Sequence, residues 1–210
     1  MRSTVCWGRI PLLLPLALVL TGCASGMSTV NQRVLGEGRD LLVIQGSSAI
    51  SVDAPTTEIW RREAVPELGE AAVGAAAGAL REALVGVNVV VTDRAPTQEG
   101  EEGWQALDGS VVAVVQVYGL YEPQGDGSGR YQLSVNTVIR LLEVQGGISR
   151  NAGRVGDGSA EPLGDPFSLS GEPTPAHLKE VFPPQQVIPA LTRQATARGV
   201  ELGRRIVSGG

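Results

Sequence analysis

The distribution of apolar residues along the chain first predicts strands. Leu41–Gln45 is a short apolar run that stops at Gly46, and Ala49–Val52 continues it beyond a bend. Val87–Thr92 is rich in β-branched residues, which favour strands. Ser110–Leu120 is almost continuously apolar, so this strand is expected at the centre of a sheet with both of its faces covered.

The clearest period of two lies between Tyr131 and Leu141, where apolar and polar residues alternate. A glycine-rich linker, residues 122–130, separates this segment from the preceding run, so the two segments are predicted to form a long antiparallel hairpin. Residues 146–175 are rich in glycine and proline. They are predicted to be weakly structured, except for an edge strand at Phe167–Ser170.

Two helices are predicted from apolar positions spaced three and four residues apart. The first runs from Pro66 to Leu84, and Pro55–Thr57 offers an earlier start that Pro66 interrupts. The second follows Pro183–Pro184 and carries an apolar stripe that ends at Ile206. We therefore predict an α+β fold, with a mostly antiparallel sheet of four or five strands and the two helices packed on one face.

Within the first helix, Gly74 and Gly78 repeat a pattern of small residues four positions apart. This pattern resembles a glycine zipper, in which helix backbones approach closely inside a membrane. Only ten uncharged residues lie between Glu70 and Arg81, which is about half the length of a membrane span. The favoured interpretation is therefore a small-faced helix that lies tightly on the sheet.

Residues 1–22 have the pattern of a signal peptide. Two arginines give a cationic start, and Ile10–Leu20 is an apolar run too short to span a bilayer as a mature helix. The run ends in Leu-Thr-Gly-Cys at residues 20–23, which resembles a bacterial lipobox. The resemblance implies that Cys23 is diacylated, becomes the new amino terminus and is acylated again, which gives stable anchoring. An ordinary secretory signal with a chance cysteine is the alternative.

The domain organisation follows from this leader. We expect residues 1–22 to be the lipoprotein signal peptide, and residues 23–40 to be the lipidated cysteine and a polar, flexible tether. Residues 41–210 are expected to form a single periplasmic α+β domain. Neither residue after Cys23 is the aspartate that retains many lipoproteins in the inner membrane. The resemblance therefore implies a lipid anchor in the outer membrane, with the domain facing the periplasm.

Composition and charge exclude several classes of protein. The chain of 210 residues has 42% hydrophobic and 19% charged residues, which excludes a disordered tail and a multi-span membrane protein. Its net charge of −5 becomes −7 when the two leader arginines are removed, so nucleic-acid binding is not expected. Loss of Cys6 with the leader and acylation of Cys23 leave no free thiol for a disulfide, a nucleophile or a metal ligand.

Candidate chemistry is sparse. The only histidine, His177, lies in a proline-rich stretch, where a solvent-facing loop residue is favoured over a catalyst. Gly125–Gly129 is interpreted as a turn between strands, because no helix terminus follows it to hold a phosphate. Glu99, Glu101 and Glu102 lack the spacing of a calcium loop and are interpreted as a solvated loop. We predict no catalytic, cofactor-binding or metal-binding residues, no cofactor, and a protein that is not an enzyme.

The order of the elements resembles a family of envelope lipoproteins. Ile59–Trp60 heads the first helical region, and a strand with the sequence VNVVVTDR follows it at 87–94. The next two strands, VVAVVQVYG and YQLSVNTVIRLLEVQGG, are expected to pair with each other. The segment FSLSGEPT then precedes the last helix. This order is similar to that of the auxiliary lipoproteins of MCE-type lipid transporters. More distantly, it resembles the amino-terminal domain of TolB and the periplasmic domain of the curli secretion-channel lipoprotein. The tyrosine-containing strand that follows the lipidated cysteine in the auxiliary family is missing here.

The resemblance implies an outer-membrane-anchored lipoprotein that acts as a non-catalytic partner subunit of an envelope complex, with an MCE-type lipid transport system as the candidate. Its expected partners are the membrane, through acyl chains on Cys23, and a periplasmic or envelope protein. An open, proline-poor sheet edge near Phe167–Ser170 is expected to pair with a strand of that protein. The alternative function is an independent binding or structural module, such as a cofactor for secretion or cell-wall assembly.

Overall fold

The computed structural model describes residues 30–36, 38–52, 61–92, 101–124, 129–156, 160–168 and 184–209. A short π-helical turn at Gln32–Gly36 opens this part of the chain. Seven strands follow: β1 (Leu41–Val52), β2 (Arg61–Ala64), β3 (Val89–Val91), β4 (Val111–Pro123), β5 (Arg130–Gln145), β6 (Ile148–Val155) and β7 (Glu161–Ser168). The three helices are α1 (Pro66–Ala83), α2 (Glu101–Gln105) and α3 (Pro184–Ser208).

The described strands belong to one mixed sheet, with β1, β4 and β5 at its centre. β4 pairs parallel with β1 and antiparallel with β5. β2 (antiparallel) and β3 (parallel) share the outer edge of β1, while β6 and β7 share the outer edge of β5, both antiparallel. The α+β class is therefore confirmed. The expectation of four or five strands is corrected, because the described sheet has seven. The sheet is mostly antiparallel, as expected, although two of its six pairings are parallel.

The glycine- and proline-rich stretch contains β6, which its composition did not predict, and β7, which includes Phe167–Ser168 of the predicted edge strand but begins earlier, at Glu161. Gly146 and Gly147 adopt φ angles of 60° and 74°, which side chains rarely allow, and they turn β5 back into β6. Pro162 and Pro166 lie in β7, and an edge strand tolerates proline because only one of its sides needs amide donors. Pairing with the long β5 therefore imposes strands where composition predicted a loop.

The predicted hairpin and long helices are present. β4 and β5 pair from Val111 and Glu143 to Pro123 and Tyr131. β1 bends where its register with β4 shifts between Gln45 and Ser48, at the predicted bend. α1 begins at Pro66, and residues 61–64 before it form β2, so a helix start at Pro55–Thr57 that continues through these residues is wrong.

The main core lies between the sheet and the pair of long helices. Both helices share one buried cluster with β1, β4 and β5. The β4 residues in this cluster alternate along the strand: Val111, Ala113, Val115, Val117 and Tyr121. A smaller cluster lies on the opposite face of the sheet, and its buried members are Ile44, Leu107, Val112, Val114 and Val144. The first half of β4 is therefore covered on both faces, as its continuous apolar run predicts.

Glycines of α3 allow the two long helices to approach closely. A Cβ added at Gly199 would lie 2.8 Å from the Cβ of Ala79 and 2.9 Å from the carbonyl oxygen of Ala76. A Cβ added at Gly203 would lie 2.5 Å from the Cβ of Ala83. The contacts advance in the same direction along both helices, so α1 and α3 run parallel. No side chain fits at either glycine without moving the helices apart.

Gly74 and Gly78 take no part in this contact. Gly74 is exposed and Gly78 is half-buried. A Cβ added at either position would meet nothing within 4 Å. The expectation that these glycines lie tightly on the sheet is therefore wrong. The buried face of α1 is formed by other residues: Leu68, Gly69, Ala72, Val73, Ala76, Ala77, Ala79 and Leu80.

Gln194 of α3 fills a notch in the sheet edge between β6 and β7. β6 pairs with β5 as far as Ile139, and β7 begins to pair at Val135. The backbone N–H of Thr137, between these points, donates to Gln194 Oε1 at 3.0 Å. Gln194 Nε2 donates to the carbonyl oxygen of Val135 at 3.1 Å. The side chain therefore replaces the hydrogen-bonding groups of a strand and ties α3 to the sheet.

We expect Gly199→Ala to lower the free energy of unfolding by about 1–3 kcal/mol, because the added methyl group overpacks the helix contact. Gly74→Ala is the matched control. It should raise stability by about 0.5–1 kcal/mol, because alanine has the higher helix propensity and the position has open space. Urea denaturation of both variants measures the two changes. A Gly199→Ala protein as stable as the control would contradict the packing.

Gln194→Leu should destabilise the protein by about 1–3 kcal/mol, because the amide of Thr137 and the carbonyl of Val135 would lose their hydrogen-bond partner. Leucine has nearly the same volume as glutamine, so the packing around the side chain should change little. Arg193→Leu changes the adjacent exposed position, whose ion pair with Glu161 spans 3.5 Å at the surface. This control should change stability by less than about 0.5 kcal/mol. Thermal unfolding compares the two, and equal losses would show that Gln194 is not specifically required.

Candidate functional site

Two residues singled out in the sequence lie outside the described residues. Cys23 precedes residue 30, and His177 falls between residues 168 and 184. The lipid anchor and the loop role of His177 therefore stay predictions. Of the acidic set, Glu101 and Glu102 begin α2 instead of lying in the loop that was expected, and Glu99 lies outside the described residues.

The chain enters the domain through a segment that is built into the core. Val30 and Val34 are fully buried in the main cluster. Asn31 Nδ2 donates to the carbonyl oxygens of Ile206 and Val207 at 2.5 and 3.3 Å. These carbonyls belong to the last turn of α3, where no further helical turn supplies a donor. Folded structure therefore begins before Leu41, inside the stretch 23–40 that was predicted to be a tether.

An ion pair holds the same segment against the end of β5. Arg33 Nε lies 2.8 Å from Glu143 Oε1, and the two side chains are only 21% and 11% exposed. The amide oxygen of Gln145, turned toward the guanidinium, accepts further hydrogen bonds from Arg33. Because Glu143 has lost most of its water, it depends on this guanidinium for compensation. The segment is therefore held by charge as well as by apolar burial.

Three of the most exposed large apolar side chains in the described residues lie at this end of the molecule, and we call them the end face. They are Val85 (90% exposed), Ile148 (62%) and Val207 (55%). Another exposed valine, Val91 at 41%, lies in β3 and is not part of the end face.

The position of each end-face residue follows from its hydrogen-bonded surroundings. Val85 lies in the turn after α1. The segment that follows this turn lies beside the start of β1, because the Leu41 N–H donates to the Asn88 carbonyl oxygen at 2.9 Å. Ile148 begins β6 opposite Gln145, at the end of β5. Val207 lies in the last turn of α3, whose carbonyls bind Asn31. The end face therefore surrounds the place where the chain enters the domain.

A groove of about 580 Å³ lies between α1 and α3 and includes the last turn of α3. Its lining is mostly apolar, and Glu82 and Arg204 are the charged residues in it. The other lining residues are Ala79, Ala83, Val200, Val207 and Ser208. Because Val207 belongs to both features, the groove is continuous with the end face. An apolar groove with one charge of each sign suits contact with an amphipathic surface.

A second cavity, of about 400 Å³, lies at the outer edge of β1. β3 pairs with β1 only as far as Val43 and β2 pairs from Ala49 onward, so Gln45 and Gly46 lie between the two. Gln45 Nε2 donates to the carbonyl oxygen of Pro66 at 3.0 Å, which fixes the start of α1 to this edge. Glu70 is the one titratable side chain among the lining residues: Gln45, Gly46, Glu70, Val73, Gly74, Val91 and Thr92.

The sheet edge that was predicted to pair with a partner strand is obstructed. Pro162 and Pro166 interrupt β7, and its register with β5 also shifts. Prolines and bulges are devices that prevent strand addition at an edge. Of the expected edge, Phe167–Ser168 directly follows Pro166, so the described edge is not proline-poor, and its pairing with a partner strand stays a prediction. Phe167 turns inward instead and packs edge-on against Tyr121, with ring centroids 5.7 Å apart, and burial raises the pKa of the Tyr121 hydroxyl.

The part of the chain that the structure describes contains neither a metal-binding cluster nor a membrane-spanning helix. There, histidine, cysteine, aspartate and glutamate side chains do not gather in groups of three or more that could hold a metal ion. Within the same residues, no helix has both the length and the apolar character needed to cross a membrane.

No protein-family model and no curated protein matches the chain. Among the solved structures that are similar to the chain, two illustrate the low level of identity. The PelC dodecamer from Paraburkholderia phytofirmans is 15% identical, over 80% of this chain and 88% of that chain, with a TM-score of 0.33. The protein XCC0632 from Xanthomonas campestris, of the DUF330 family, is 17% identical, over 81% of this chain and 85% of that chain, with a TM-score of 0.37. These similarities are too low to assign a family or a function.

Proposed function

We propose that the protein is an acylated lipoprotein of the outer membrane, and that its domain faces the periplasm and serves as a non-catalytic partner subunit of an envelope complex. The observation that carries this proposal is the short separation between the lipobox and the core. Only six residues lie between Cys23 and Val30, which is fully buried. Fully extended, seven peptide units span at most about 25 Å. Acyl chains on Cys23 would therefore hold the domain next to the bilayer.

The contacts of the entering segment support a role at the membrane surface. Asn31 and Arg33 attach the segment to α3 and to β5, so the attachment is part of the fold. A long flexible tether would let the domain reach partners far from the membrane. A short attachment suits a subunit whose partner also works at the bilayer. We propose MCE-type lipid transport as the system in which the protein works, because the order of its predicted elements resembles that of the auxiliary lipoproteins.

The non-catalytic role is proposed from the sequence. One histidine and no free thiol after acylation leave few groups for acid–base or covalent catalysis. In the two cavities described above, Glu70, Glu82 and Arg204 are the charged residues, and they are divided between the two.

The lipid anchor is tested with Cys23→Ser. The serine lacks the thiol that is acylated, so the variant should incorporate no labelled palmitate and should accumulate as a larger precursor with its signal peptide attached. Metabolic labelling and gel mobility measure both effects, with Cys6→Ser as the control that should be acylated and processed normally. Palmitate incorporation into the Cys23→Ser protein would refute the anchor.

The non-catalytic role is tested with His177→Ala. We expect this variant to support envelope integrity as well as the unchanged protein does, measured as growth in the presence of detergent in a strain that depends on the protein. Equal protein levels and equal palmitate labelling serve as controls for folding and anchoring. Loss of function in a folded and acylated His177→Ala protein would contradict the non-catalytic role.

A further inference from the structure

We propose that the end face, Val85, Ile148 and Val207, rests directly on the lipid surface in which the protein is anchored. This inference rests on the proposed function, because it requires acyl chains on Cys23. It goes further by assigning one orientation to the domain and one set of side chains to lipid contact. In this orientation the C-terminal ends of α1 and α3 point toward the bilayer.

The end face lies beside the segment that leads to the anchor. Asn31 binds the carbonyl of Val207 itself, so the entering chain and one end-face residue are direct neighbours. Arg33 binds Glu143, two residues before Gln145, which pairs with Ile148. The short separation from Cys23 to Val30 therefore brings this end of the domain toward the bilayer.

The three end-face side chains are apolar and exposed to water. Valine and isoleucine gain free energy when they leave water for an apolar environment. Val85 is 90% exposed, although the neighbouring Leu84 is 1% exposed in the core. The end face lies on three separate elements: the turn after α1, the first residue of β6 and the last turn of α3. Such scattered single side chains suit a deformable lipid surface better than a shaped protein pocket.

Arginines accompany the end face along the chain. Each end-face residue has an exposed arginine within four positions: Arg81 before Val85, Arg150 after Ile148, and Arg204 before Val207. A guanidinium on a long apolar stem can bind lipid phosphate while the stem contacts the acyl region. Glu82 and Asp108 are also exposed in this region, so the end is mixed in charge.

The groove between α1 and α3 supports a lipid over a protein partner. Val207 and Arg204 line it and also belong to the end face or its arginines. A domain that rests on the end face would therefore open this groove toward the bilayer. Its mostly apolar lining complements an acyl chain, and Arg204 can pair with a lipid phosphate, although Glu82 also lines the groove.

The test uses the acylated full-length protein in vesicles of phosphatidylethanolamine and phosphatidylglycerol. Cys6 leaves with the signal and acylation consumes the thiol of Cys23, so a single introduced cysteine can be labelled selectively. An environment-sensitive fluorophore is attached to Val85→Cys or to Val207→Cys, and quencher-labelled lipids report contact with the bilayer. Ser168→Cys is the control, because Ser168 is exposed and pairs with Arg130 at the opposite end of β5.

We expect the labels at Val85 and Val207 to shift to shorter emission wavelength and to be quenched by the lipids, while the label at Ser168 is unaffected. Equal quenching at all three positions, or none, in protein that mass spectrometry shows to be acylated would overturn the lipid contact and leave the anchor intact. If mass spectrometry showed that Cys23 carries no acyl chains, both the lipid anchor and the lipid contact of the end face would be overturned. Quenching between labels on neighbouring copies, without lipid quenching, would indicate a protein interface and overturn the lipid contact.

A second variant separates lipid contact from misfolding. Val207→Asp adds a charge to the end face, so it should weaken lipid quenching of the label at Val85. Val91→Asp is the matched control, because Val91 is an exposed valine outside the end face. It should leave the quenching unchanged. Circular dichroism checks that both proteins are folded, and equal quenching in the two folded variants would contradict the proposal.

Discussion

α1 and α3 approach so closely between Ala76 and Ala83 of α1 that the facing positions of α3 cannot carry a side chain. Gly199 and Gly203 of α3 meet this constraint, and a Cβ at either would collide with alanine methyl groups. The two helices can therefore run parallel and close together over one face of the sheet. The main core lies beneath this helix pair, and Gln194 reaches from the same helix into the sheet edge.

The parallel packing has a consequence at the ends of the helices. Both C-termini emerge at the same end of the domain, where four carbonyls of each helix lack intrahelical donors. The entering chain uses this end: Asn31 binds the last carbonyls of α3, while Val30 and Val34 enter the core. Helix packing thus determines where the chain enters, and the entry point determines which surface an acylated Cys23 would hold toward the membrane.

Much of this fold could be predicted from the sequence, where a local pattern matched the final environment. The alternation after Tyr131 and the apolar run of β4 gave the central hairpin, because each reflects burial of one or both strand faces. Only the end of β7, Phe167–Ser168, was predicted as a strand. β6 and the first part of β7 could not be predicted, since pairing with a long neighbour overrides their glycines and prolines. The end face was not predicted either, because isolated valines carry no signal until distant segments meet. The spacing of Gly199 and Gly203 was a signal that the sequence offered and that the more conspicuous glycines of α1 obscured.

The central claim is that the domain lies directly on the bilayer through the end at which the chain enters it. Neutron reflectometry of the acylated protein on a supported bilayer measures the hydration between lipid headgroups and protein. The account predicts a protein layer in contact with the headgroups and no resolved water layer between them. A separate water layer beneath the domain, in protein whose acylation is verified by mass spectrometry, would contradict it.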